Sequence, residues 1–335
     1  MTTHEKNKRP IFRAALLALG AAVATLCLAP PADAQNFPTK PVRLVIPFAP
    51  GGATDTIGRA VAQGLADLWG QPVIGENKPG ANTIVGSEFT AKAPADGYTI
   101  LIAGDAGLTH NVFMYSKLPY DPRKDFALVT RILRVHSLIA VPSSFPVKNL
   151  KEFVDLMKKD GSKMNYGSPG VGDPSHIGME WFRSVAGFEM AHIPYKGMGP
   201  ALQGMLSGEL QGLITSVISS EQHIKTGKIK PLVISGKTRS KSFPDMPTLA
   251  EAGYPDITLG FWLAFVVPAA TPADIVKKIS DDTRKVLNDP AFLAKYITPY
   301  GYEVIGDTPE EFAAFYKQDL IAAEKRVKIS GAKLD

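Results

Sequence analysis

The sequence predicts an α/β fold built as two domains. Segments of strand type alternate with segments of helix type along the chain, and a strand, a Gly-rich loop and a helix follow one another twice, about 120 residues apart. The length of 335 residues also favours two domains over one.

The chain opens on Lys6, Lys8, Arg9 and Arg13, followed by the uncharged apolar stretch 14–28 and by Ala32-Asp33-Ala34. A basic start, an apolar middle and small residues at the end make an export signal, so residues 1–34 are predicted to be a cleaved signal peptide. That sends the mature chain to the periplasm. A membrane anchor is the alternative, but the stretch falls short of the roughly 20 apolar residues that span a bilayer, and Pro30 and Pro31 interrupt it. Cys27 raises lipidation as a third reading, against which Leu26 is larger than such a signal normally accepts. The signal holds four Lys/Arg and two Asp/Glu, so the remaining 301 residues carry 33 basic and 30 acidic residues, a net charge near +3. No Lys/Arg-rich run or aromatic-plus-basic motif accompanies that charge, which removes nucleic acid as a partner. The sole cysteine lies in the signal, so the mature chain has no disulfide and no thiol chemistry.

The elements follow in order. Residues 42–46 (Val-Arg-Leu-Val-Ile) form a short apolar run of strand type, and a Gly- and Pro-rich stretch, 47–54, comes next. Ile57, Val61, Leu65 and Leu68 then recur at helical spacing up to Gly70, a helix-ending glycine. Residues 98–103 and 137–141 read as further buried strands, the first followed by a Gly-containing loop. Leu150, Phe153, Val154 and Met157 line one helix face. The stretch 164–167 reads as a strand entering the loop 168–173, after which Asp173 and Pro174 suit the cap and first position of a helix striped by Ile177, Trp181, Phe182 and Val185. A helix from near Pro200 to near Gly208 is expected, another capped by Thr271 with Pro272 at its first position, and a last one opened by the capping box Thr308-Pro309-Glu310-Glu311. No long linker is visible, so crossover strands near 135–141 and 258–267 are expected to join the domains.

The loop from Phe48 and Ala49 through Gly51, Gly52, Ala53 and Thr54 to Asp55 is the most informative motif. Glycines admit close backbone approach, and a helix start offers free N–H groups and a positive dipole end. The loop is therefore either an anion seat or a plain connection; its spacing fits neither a P-loop nor a dinucleotide fingerprint. Ser168, Val171, Gly172 and Asp173 repeat the arrangement in the second half, so two loops can face one ligand across a cleft. Catalytic patterns are missing: there is no G-x-S-x-G elbow, and the five mature histidines show no metal-ligand spacing. No catalytic residue, metal or cofactor is expected.

Taken in succession, several motifs resemble the Bug-type substrate-binding proteins of tripartite tricarboxylate transporters. They are 41–48 (Pro-Val-Arg-Leu-Val-Ile-Pro-Phe), Gly51-Gly52-Ala53-Thr54-Asp55, Asn77-Lys78-Pro79-Gly80-Ala81, Ala95-Asp96-Gly97-Tyr98-Thr99, Leu118-Pro119-Tyr120-Asp121-Pro122, Asn165-Tyr166-Gly167-Ser168, Pro194-Tyr195-Lys196-Gly197 and 247–253. The resemblance covers essentially the whole mature chain and implies a two-lobed, Venus-flytrap fold of the type II periplasmic binding class with two crossover strands. It also implies a small organic carboxylate as ligand, held in part by backbone N–H groups, and delivery to the membrane subunits of a tripartite transporter. A sensor for a membrane kinase, or a hydrolase or isomerase on the same lobes, are the alternatives. Lobe one is expected at 35–136 and 262–335 and lobe two at 137–261, in a monomer. Ligand contacts are expected from Phe48, Ala49, Gly51, Gly52, Ala53, Thr54, Asp55, Gly104, Ser168, Val171, Gly172, Asp173 and Tyr195. For Asp55 the alternative is bracing its own loop, and for Tyr195 ordinary packing.

Four departures from the family pattern bear on the ligand. Asn82-Thr83 replace a usual Gly-Gly, Asp105 and Asp173 stand where Thr or Ser is usual, and Gln211 and Thr215 stand where Asp is frequent. Either Asp173 only caps its helix, or the acids face a donor on the ligand. On the second reading a monocarboxylate or nitrogen-bearing acid is preferred over citrate.

Overall fold

In the computed structural model the described residues are 37–334; the predicted signal peptide, 1–34, lies outside them. Three parallel strands, β1 (Val42–Ile46), β2 (Val73–Asn77) and β3 (Thr99–Gly104), begin the first sheet, with β1 between the other two. α1 (Ala53–Trp69) and α2 (Ile84–Ala91) make the crossovers, and Gly70 closes α1 in the left-handed conformation, φ 62°. The connection after β3 is helical rather than the open loop expected: a π turn, Ala106–His110, runs into the short α3 (Asn111–Met114).

The 17-residue strand β4 (Phe126–Pro142) ties the molecule together. Its first part, to His136, pairs antiparallel with β9 (Gly260–Pro268), which pairs in turn with β3. From Ser137 onward β4 pairs with β7 (Gly212–Ser216) and β8 (Ile229–Ile234). The second sheet continues through β5 (Asn165–Ser168) to β6 (Ala191–Pro194). Around it lie α4 (Leu150–Asp160), α5 (Pro174–Ala186), α6 (Met198–Leu206) and α7 (Val217–Lys225). The chain then returns to the first sheet, adding α8 (Ala273–Leu287), the one-turn α9 (Pro290–Phe292), β10 (Glu303–Val304) against β4, and the long α10 (Pro309–Ser330). This is the two-lobed fold that the resemblance implied.

Alternation along β4 explains why the second sheet is covered on both faces. Ile139 and Val141 enter one core with Phe153, Met157, Tyr166 and Phe182, while Leu138 and Ala140 enter another with Ala201, Met205 and Val217. Successive side chains of a strand point to opposite faces, so an uninterrupted apolar run is what a doubly covered strand requires. The first lobe has its own core, in which Val45, Leu101 and Val266 meet Trp262, Phe312 and Tyr316.

Two helix starts differ from expectation. α6 begins at Met198, two residues before Pro200, and ends at Leu206; proline is tolerated there because first-turn N–H groups need no helical acceptor. Thr271 does not cap α8: Pro272 is the N-cap, and the Thr271 hydroxyl donates to the Pro268 carbonyl at 2.7 Å. The capping box of Thr308 and Glu311 forms in full. Among the described residues no helix is long and apolar enough to cross a membrane.

Candidate functional site: a cavity between two helix starts

The first loop is built to leave its N–H groups available. Gly52 is the N-cap of α1, extended at φ −82° and ψ 171°, and no side chain caps the helix. Gly51 has φ 89°, a conformation suited to glycine. Asp55 braces the loop from beneath: it accepts from the Gly51 N–H at 3.0 Å, from Arg59 Nε at 2.9 Å and from Asn77 Nδ2 at 2.9 Å. Asn77 Nδ2 also donates to the Phe48 carbonyl at 3.0 Å, so one amide ties both ends of the loop. Burial works against the Asp55 charge, but the hydrogen bonds from Asn77 and Gly51 and the Arg59 charge outweigh it and hold the pKa below the usual 3.8.

The second loop rests on a stack of rings. His176 and His192 lie face to face with centroids 4.0 Å apart, and Tyr166 stacks on His192 at 4.9 Å. The Gly172 N–H donates to His176 Nδ1 at 3.1 Å, and Ser168 Oγ lies 2.7 Å from His192 Nε2. Burial lowers the pKa of both histidines, that of His192, with the neighbouring His176 adding to it, to about 3. Both rings are therefore neutral at pH 7, as an acceptor for the Gly172 N–H must be. Asp173 caps α5, accepting from the Ser175 N–H at 2.8 Å and from its hydroxyl at 2.6 Å. Burial nevertheless pushes its pKa up to about 6 against those hydrogen bonds.

Between the loops lies a cavity of about 130 Å³. Of the residues expected to touch ligand, Phe48, Ala49, Gly52, Ala53, Thr54, Gly104 and Asp173 line it, as does Asp105. Gly51, Asp55, Ser168, Val171, Gly172 and Tyr195 are not among its lining residues. The Ser168 hydroxyl is fully buried and engaged with His192 and the Gly170 carbonyl. The Tyr195 hydroxyl donates to Glu209 at 2.5 Å on the exposed side. Val171 and Tyr195 line a neighbouring cavity of about 580 Å³, which shares Phe48, Ala49 and Asp173 with the first. Gly172 is a contact between the lobes, because a Cβ there would come within 2.4 Å of Met114 Cε and 3.0 Å of Asn82 Nδ2.

Sequence reasoning missed several lining residues. Ser216 and Ser219 lie with Thr215, which had stood out only as a departure from the family pattern, at the turn from β7 into α7, a third strand-to-helix junction without the glycines that marked the other two. Phe261 and Leu263 also line the cavity; their alternation along β9 was the available signal. The non-glycine pair Asn82-Thr83 adopts left-handed backbone, φ 46° and 77°, following Ala81 at 45°. Such backbone suits the Gly-Gly usual in the resembled family and is costly for a β-branched residue.

The sequence profile of the tripartite tricarboxylate transporter family receptor (TctC) matches residues 57–330. The chain belongs to this family. Among Bug-type relatives, a UPF0065 protein of Bordetella pertussis strain Tohama I is 36% identical over 302 residues, 90% of this chain and 92% of the relative. BugT of the same organism is 30% identical over 320 residues, 95% of this chain and 98% of its own. Among solved structures, a Rhodopseudomonas palustris protein with adipate superposes with a TM-score of 0.85 at 30% identity, covering 89% of this chain and 100% of that one. The periplasmic binding protein BugD gives 0.82 at 30% identity, with 89% and 99% covered. MatC of R. palustris with bound malate gives 0.80 at 28% identity, with 87% and 100% covered. This TctC-family chain is thus a solute-binding receptor by family and fold, and its departures at Asp105 and Asp173 sit on the wall of the cavity between its lobes.

Proposed function

We propose that this protein is a periplasmic receptor, not an enzyme, that captures a small organic carboxylate between its lobes and delivers it to the membrane subunits of a tripartite transporter. The observation that carries the reading is the cavity itself. One wall is the uncapped start of α1, where Gly52, Ala53 and Thr54 offer backbone N–H groups, and the opposite wall comes from the second lobe. A carboxylate there completes the orphan donors of the helix and meets its positive dipole end. Gly51 takes no direct part, since its N–H is already given to Asp55. The lobes divide at 35–136 with 262–335 against 137–261; the change of β4 partner between His136 and Ser137 supports that boundary.

The cavity favours a compact ligand with one carboxylate. Its volume of about 130 Å³ is of the order of the ~150 Å³ engineered cavity that holds benzene. Phe48, Ala53, Met198, Ile214, Phe261 and Leu263 supply apolar wall. An ionised Asp173 facing a second ligand carboxylate at about 4 Å would repel it by about 4 kcal/mol at an effective dielectric near 20. A monocarboxylate, or an acid bearing a nitrogen donor, is therefore preferred to citrate. A thermal-shift and native mass spectrometry panel of amino acids, heteroaromatic acids, dicarboxylates and citrate tests this. A ligand at a hundredfold excess over its Kd stabilises the fold by about 2.7 kcal/mol. Citrate as the tightest binder would overturn the preference, and no stabilisation by any acid would overturn the receptor reading.

A further inference from the structure

The crossover strands have two faces, and the second is also a cavity. On β9, Phe261 and Leu263 line the ligand cavity while Gly260 and Trp262 line a second one of about 740 Å³; on β4, Ser137 belongs to the first while Arg134 and His136 belong to the second. This is strand alternation at work. The second cavity collects four cations, Arg131, Arg134, Lys237 and Arg326. Three have partners: Arg131 with Asp307 at 2.6 Å, Arg326 with Asp319 at 3.0 Å and Lys237 with Glu303 at 3.9 Å. Arg134 forms no ion pair within 4.0 Å among the described residues and acts on the nearby Asp105 carboxyl only through space. His110, 2% exposed, also lines this cavity, and neither of its ring nitrogens has a hydrogen-bond partner. The acids on the same wall are already engaged. Asp319 accepts from Trp262 Nε1 and Arg326, and Glu303 faces His136 Nε2 at 3.8 Å and Lys237. Asp105, buried and beside Asp319, is driven toward its uncharged form by desolvation and by that neighbouring acid, which outweigh the opposing charges of Arg326 and Arg134.

We propose that this cavity behind the crossover strands, which shares Asp105 and Pro174 with the first, is a second anion site that takes a small oxyanion on Arg134. A half-buried guanidinium without a direct ion pair, beside the partnerless buried nitrogens of His110, suits an acceptor-rich anion. A monoanion balances the charge that Arg134 leaves over. The site reads phosphate-like or carboxylate-like geometry by guanidinium hydrogen bonding and is independent of the carboxylate reading of the first cavity.

The test is isothermal titration of inorganic phosphate into the full mature chain at low ionic strength and pH 7, with three variants. Wild type is expected to bind one equivalent saturably. Arg134→Gln is expected to weaken that binding about tenfold or more, the loss of one charge-assisted hydrogen bond. Lys237→Gln, at an exposed position that leaves the fold untouched, is expected to weaken it by a smaller factor, so the proposal stays testable if Arg134→Gln folds poorly. Gly52→Val, which alters only the first cavity, is expected to leave phosphate binding unchanged. No saturable binding in wild type means a solvent-filled cavity and overturns the proposal. Binding indifferent to both cation variants, or abolished by Gly52→Val, overturns it equally, since the phosphate would then sit elsewhere or at the start of α1.

Discussion

Asp173 shows how one side chain can cap a helix and stand on a cavity wall at once. It caps α5 through Ser175 and also stands on the cavity wall, so capping and ligand contact do not exclude each other. Burial raises its pKa from 3.8 to about 6. A carboxyl whose folded pKa is raised holds more protons folded than unfolded. Its contribution to stability is full below about pH 3.8 and is lost as the pH rises through 6. Asp173→Asn keeps the cap, because Asn caps as well as Asp, and removes the titration. The melting temperature of Asp173→Asn relative to wild type is expected to climb between pH 4 and pH 7, by several degrees for a free-energy difference of about 3 kcal/mol at most. A difference that stays flat would mean the buried carboxyl ionises as freely as in the unfolded chain. Tyr195 is the opposite case. Its hydroxyl goes to Glu209 and its ring packs on Gly167 and Gly204, so Tyr195→Phe is expected to change ligand affinity by less than about twofold, as read by titration calorimetry.

At the scale of elements, the second loop depends on the neutral histidine stack beneath it. Both histidines have lowered pKa values, His192 to about 3. A base with a depressed folded pKa binds protons more readily unfolded. The stack's stabilisation is therefore complete above about pH 6.5 and is lost progressively as the pH falls toward 3. His192→Phe keeps a ring in the stack and cannot protonate, so its melting temperature is expected to fall less steeply than wild type between pH 6.5 and 4. Equal slopes would remove His192 from the acid response. Nothing in the sequence announced this stack, because His176 lies on α5 and His192 on β6, and only the β5–β6 pairing of Tyr166 with His192 and the start of α5 bring the rings together. The loops themselves were legible: glycines between an apolar run and a helical stripe leave a local signature, and so do Asp173-Pro174 and the Thr308 box. Of the Ser/Thr junction of β7 and α7 only Thr215 stood out, and Thr271 misled because a local hydroxyl bond to Pro268 won over capping.

For the whole molecule, the proposed capture needs the lobes to meet, and Gly172 marks one place where they touch. Its missing side chain makes room for Met114 and Asn82, and Val171 packs with Met114, Val327 and Leu334 from the other lobe. Gly172→Val is expected to hold the lobes apart. Ligand affinity should drop at least tenfold, and small-angle scattering should show no compaction on adding the acid that compacts wild type. The fold-level expectations were readable because a colinear series of short motifs spans the chain. The closure contact was not, since it joins residues about 60 to 160 positions apart. The most direct test of the central claim, carboxylate capture at the start of α1, is titration calorimetry of Gly52→Val with the best acid from the ligand panel. A Cβ at Gly52 meets nothing within 4 Å and φ there is −82°, so valine fits the fold while its side chain enters the cavity. The expected result is loss of measurable binding, with the melting temperature in the absence of ligand lowered by no more than a few degrees for the weaker N-cap; wild-type affinity in a folded Gly52→Val protein would contradict it.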